Sequence, residues 1–72
     1  MPSVEAHITG TVWTIEVAVG DRIEEDQTVA VLESMKMEMP VESEFAGRVT
    51  EIVCEEGQAV NEGQTLIVLA DE

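Results

Sequence analysis

An all-β fold, a flattened antiparallel β-barrel or sandwich of two four-stranded sheets related by a quasi-two-fold axis, is what this sequence predicts on three observations. Apolar and polar residues alternate in short runs rich in Val and Ile, the period of half-buried strands and not of helices. The first half of the chain is then written again: Gly10, Val12, Ile15, Gly20, Glu25, Gln27, Thr28, Val31 and Leu32 recur as Gly47, Val49, Ile52, Gly57, Glu62, Gln64, Thr65, Val68 and Leu69. A repeat of only two copies is too short for a stacked array, so two matched halves must close on each other around shared Val, Ile and Leu side chains. Between the copies stands Lys36, the sole lysine of the 72 residues.

Taken in order, Val4, Ala6 and Ile8 alternate with Glu5, His7 and Thr9, a strand that ends at Gly10 and turns His7 outward. From Val12 to Val19 the apolar positions Ile15, Val17 and Val19 alternate, but Val12 is out of phase with them. A bulge at Trp13 and Thr14 restores both sets to the core, and the same phase break recurs between Val49 and Ile52. Gly20-Asp21 signals a turn, with Gly20 and Gly57 supplying positive φ at equivalent places. Arg22 to Asp26 reads as a short polar connection and Thr28 to Leu32 as a strong strand. Met37 to Glu42 returns as a strand in which Pro40 requires an edge or an unpaired position, and Ser43 to Gly47 is the next loop. Lys36 therefore falls in a hairpin at one edge of the molecule, with the chain ends at the opposite edge.

A chain of this length forms one small domain over residues 1–72 and buries roughly 60% of its extended surface, too little for a large catalytic cleft. Three basic residues against 16 acidic ones give a net charge of −13, which excludes nucleic acid and anionic membrane surfaces as partners and favours a soluble monomer. The N-terminus lacks a basic and apolar leader, and no run approaches the ~18 apolar residues of a membrane span, so a cytoplasmic location is expected. Cys54, alone of its kind, corresponds in the repeat to Val17 and reads as a buried small hydrophobe. Trp13 reads as a partly buried aromatic capping the barrel. His7 has no nucleophile beside it in sequence, and the acidic runs at Glu24-Glu25-Asp26 and Glu55-Glu56 lack calcium-loop spacing, so no catalytic or metal-ligating set is expected.

What remains is the handle Glu33-Ser34-Met35-Lys36-Met37-Glu38. A turn cannot easily bury both Met35 and Met37, and an exposed methionine pair is a recognition surface for a protein. This stretch, with Gly20-Asp21 and Thr28 to Leu32 before it and Ala46-Gly47 after it, resembles the biotinyl domain of biotin-dependent carboxylases and decarboxylases, over about Gly10 to Leu69. The resemblance implies the same quasi-symmetric flattened barrel, covalent biotin on Lys36, and recognition of Met35 and Met37 by a biotin protein ligase, with Glu33, Ser34 and Glu38 as the flanking hairpin. It also implies a biotin carboxylase and a carboxyltransferase as partners, with this chain as carrier and not as enzyme.

In that scheme the neutral Lys36 amine attacks the biotinyl acyl-adenylate, and because an ammonium is no nucleophile the ligase supplies the base or the desolvation. Ser34 departs from the usual Ala before Met-Lys-Met, and His7 and Thr9 stand where prolines are frequent. The chain lacks the protruding insertion of some bacterial carriers and looks like a free-standing minimal carrier. Two alternatives stay open: a lipoyl carrier, which shares the fold but resembles Asp-Lys-Ala at the hairpin, and an unmodified acidic module that binds a protein through Met35 and Met37.

Overall fold

Eight strands, all paired antiparallel, make up the computed structural model, which describes residues 2–70. They are β1 (Ser3–Glu5), β2 (Gly10–Ile15), β3 (Arg22–Ile23), β4 (Thr28–Ser34), β5 (Met37–Glu42), β6 (Gly47–Ile52), β7 (Ala59–Val60) and β8 (Thr65–Ala70). One four-stranded sheet runs β1-β8-β6-β3 and the other β5-β4-β2-β7. Shifting by 37 residues carries β2 onto β6 and β3 onto β7 with identical bounds, sets β4 against β8, and carries β1 onto the end of β5, so one sheet order becomes the other.

The two-sheet, quasi-two-fold expectation is borne out, and the topology adds a detail to it. The sheets are not the two halves of the chain, because each takes its two-residue edge strand from the other half: β3 pairs with β6 and β7 with β2. Backbone hydrogen bonds repeat the exchange. Gly20 N donates to Val49 O at 2.8 Å and Gly57 N to Val12 O at 2.7 Å, while Val49 N donates to Asp21 O at 2.9 Å and Val12 N to Gln58 O at 2.8 Å.

Between the sheets lie Val12, Val29, Leu32 and Val41 with their counterparts Val49, Leu66, Leu69 and Val4, closed by Ile23, Val60 and Ile67. Cys54 is buried with them as expected, and burial raises its thiol pKa. Register shifts fall between Val12 and Thr14 in β2 and between Val49 and Glu51 in β6, the bulges that the phase breaks require. Ser43 is the one buried polar side chain among the described residues, and its hydroxyl bonds the backbone of Phe45.

Several local expectations need correction. The first strand stops at Glu5 and residues 7–9 bend, although Ala6 stays buried and His7 is exposed as expected. Arg22 to Asp26 is not all connection, since Arg22–Ile23 forms β3 and Ile23 is fully buried. Val19 does not continue the inward alternation: β2 ends at Ile15, and Val19 sits 62% exposed in the following turn. Trp13 is about half covered, on a face the sequence did not predict. It is the extra residue of the β2 bulge, and because two residues there oppose one on β4, Val12 takes the inward place and the indole is left 49% exposed.

Candidate functional site

The hairpin between β4 and β5 is formed by five consecutive cross-strand pairs, with a sixth, Thr28 opposite Glu42, beyond a register shift, and it ends in Leu32 opposite Met39, Glu33 opposite Glu38 and Ser34 opposite Met37. Leu32 is the last buried residue before the tip, so the strands continue past the core as an open arm. Only Met35 and Lys36 remain to reverse the chain. A two-residue loop that matches strand twist needs positive φ at both positions, and Met35 and Lys36 adopt φ 54° and 64°. These are left-handed conformations that L-residues adopt at a cost of about 1–2 kcal/mol each, and glycine or asparagine normally takes them.

The strained turn points both side chains of the loop into solvent. Met35 is 91% exposed and Met37 61% exposed, while Lys36, Glu33 and Glu38 are exposed and Ser34 half-buried. The structure thus brings all six residues of the predicted handle to one place. Glu33 and Glu38 lie directly across the ladder from each other, yet no ion pair to Lys36 forms among the described residues. The amine is held out alone at the tip.

Sequence reasoning missed one residue that supports this arm. A Cβ on Gly10 would lie 2.6 Å from the carbonyl oxygen of Glu33, so glycine is required for β2 to pack beside the root of the hairpin. Gly47 meets Ala70 in the same way at 2.5 Å, and the Gly10/Gly47 identity in the repeat was the available signal. The same equivalence sets the hairpin root and the end of β8 at matching places in the two sheets.

The larger groove, about 410 Å³, lies at the β1/β5 seam against Glu5, His7, Glu42 and Phe45, and Lys36 lines neither it nor its smaller neighbour. Among the described residues no cluster of His, Cys, Asp or Glu could hold a metal ion. The arrangement therefore offers one accessible amine, flanked by two exposed thioethers, to a partner that must bring its own cavity.

Comparison with known proteins agrees with that geometry. A family model described as "Biotin-requiring enzyme" matches residues 1–69. The chain is 44% identical over 69 residues to the biotin/lipoyl attachment protein of Bacillus subtilis, covering 96% of this chain and 94% of that one. It is 40% identical over 68 residues to the biotin carboxyl carrier protein of Streptococcus mutans, covering 94% of this chain and 52% of that one. In structure it superposes on the urea carboxylase of Kluyveromyces lactis with a TM-score of 0.87 and 32% identity, over 94% of this chain but 6% of the larger enzyme. By family model, sequence and fold alike, the chain belongs to the biotin/lipoyl attachment family.

Proposed function

We propose that this protein is a biotin carrier, modified on the Nζ of Lys36 by a biotin protein ligase and visited in turn by a biotin carboxylase and a carboxyltransferase. The observation that carries the reading is the two-residue turn that holds Met35 and Lys36 at positive φ, with Lys36 exposed between two exposed methionines. Such strain persists where the surrounding structure over-determines it, here through the β4·β5 ladder and the close approach of Gly10. The relatives named biotin carboxyl carrier protein support biotin as the group carried.

An exposed primary amine fits an acyl group well: deprotonated by the ligase, it attacks the carbonyl of the biotinyl adenylate, the C–O bond to AMP breaks, AMP leaves, and the nitrogen gives up one proton as the amide forms. Met35 and Met37 offer flexible apolar surface to the ligase, and Glu33, Ser34 and Glu38 give the arm its register and its charge. With no second lysine in the sequence, acylation has one side-chain address. Biotin, once held in amide linkage, supplies a ureido nitrogen that accepts and gives up a carboxyl group. The chain's own part is to hold that group out at the end of the arm, clear of the grooves at the β1/β5 seam, which Lys36 does not line, and to dock so that tethering raises local concentration at each enzyme. The protein acts as carrier, over one domain spanning residues 1–72, as a monomer in the cytoplasm.

The test is acylation in vitro. With biotin, ATP and a biotin protein ligase, the protein becomes streptavidin-reactive and Lys36→Arg does not. A wild-type protein that stays unlabelled while a known carrier is labelled contradicts the proposal. The lipoyl alternative is separated by the same assay with lipoate and a lipoyl ligase, where no transfer is expected.

A further inference from the structure

We propose that Met35 and Met37 are oxidation sites that switch off acyl acceptance by Lys36, a redox control that rests on the attachment reading above. Methionine is a flexible apolar residue that normally serves in cores. Here Met35 is 91% exposed and Met37 61% exposed, either side of Lys36 in one turn. Met39, two residues on in the same strand, stands opposite fully buried Leu32 and is only partly accessible. One hairpin therefore carries two accessible thioethers at the amine and a more sheltered one beside them.

The chemistry needs only a peroxide. A sulfur lone pair attacks one peroxide oxygen, the O–O bond breaks, a proton passes to the departing hydroxide, and the products are sulfoxide and water. Reversal needs a methionine sulfoxide reductase and a dithiol, which leaves as a disulfide while the sulfoxide oxygen departs as water.

Because Met35 is almost wholly exposed and Met37 mostly so, and neither belongs to the buried core, the added oxygen is accommodated at the surface and the fold is kept. What changes is the surface a ligase has to desolvate: two apolar flanks become polar and chiral. Lys36 itself is untouched, so the switch acts on recognition and not on the nucleophile. The reducible form of the modification suits a control that is undone without new synthesis.

The experiment uses the full, unmodified chain and Met39→Leu, each with and without hydrogen peroxide. Peptide masses locate the oxygen, and a biotin protein ligase with ATP and biotin reads acceptance. Expected are one added oxygen on Met35 and on Met37 ahead of Met39, an unchanged melting midpoint, and acylation slowed about tenfold in both proteins. Reductase with a dithiol restores the rate. Oxidation of Met39 first, a lowered melting midpoint in the oxidised Met39→Leu protein, or acylation of the doubly oxidised chain at the original rate each overturns the switch alone. Absence of acylation in the untreated protein overturns the attachment reading and the switch with it.

Discussion

Met35 and Lys36 stand where asparagine and glycine would be the easy choice. The positive φ angles of 54° and 64° set both residues against their own steric preference, and no buried contact of either side chain offsets it. If that strain is tolerated for display, Met35→Asn with Lys36→Gly makes a more stable protein that accepts no biotin. The expected gain is about 1–2 kcal/mol in urea unfolding, and an unchanged or lowered stability would show that the turn is not strained. Gly10 is the residue whose cost runs the other way. Gly10→Ala sets a methyl group against the Glu33 carbonyl, and a loss of about 2 kcal/mol is expected, with slower acylation as the arm shifts. Equal stability of Gly10→Ala and wild type would remove Gly10 from the support of the hairpin.

At the scale of elements, four turns share one construction. In 18–21, 24–27, 55–58 and 61–64 the fourth residue's N–H donates to the first residue's carbonyl, and its side-chain oxygen accepts from the first residue's N–H at 2.9–3.1 Å. Each third residue has positive φ: Gly20, Asp26, Gly57 and Gly63. Gly63 has open space where a Cβ would go, so the penalty for replacing it is conformational only. Gly63→Ala is expected to cost about 1 kcal/mol, and Gly63→Asp, which copies its counterpart Asp26, about half that, because Asp tolerates the left-handed region. Denaturant midpoints that rank the two variants in reverse would contradict this.

These turns show what could be read in advance. Gly20 and Gly57 were legible from the repeat, as were both bulges, because a break in period-2 alternation has one cheap structural remedy. Asp26 opposite Gly63 was not legible, since the pair is no identity and Asp seldom needs positive φ. The two-residue strands β3 and β7 escaped for a different reason: no period can be seen in two residues, and their pairing across the halves is a long-range event. Trp13 was legible as a partly buried aromatic at the bulge, but that the bulge would put its side chain on the outer face and leave it 49% exposed was not. The hairpin tip was the reverse case, since Met-Lys-Met names its location but not the φ values that make it stand out.

Over the whole molecule, the exchange of edge strands ties the halves together, so the fold behaves as one unit in which a change at one bulge is felt at the turn of the other half. A net charge of −13 opposes that closure by self-repulsion. Salt screens it: raising sodium chloride from about 0.01 M to about 0.5 M is expected to lift the melting midpoint by roughly 5 °C, and a midpoint that stays constant would show that the acidic residues are spaced too far apart to matter. Among the described residues Lys36 is the cation that stands at the end of an arm, whereas Arg22 lies 3.6 Å from Glu24 and Arg48 donates to the Gly20 carbonyl at 2.8 Å on β3 and β6. The central claim is that this arm carries biotin in amide linkage on Lys36, and intact mass of the protein from cells that also make a biotin protein ligase tests it most directly. The account predicts one added biotinyl group, mapped by fragmentation to Lys36 and missing from Lys36→Arg; an unmodified mass under saturating biotin, or the mass of a lipoyl group in its place, would contradict it.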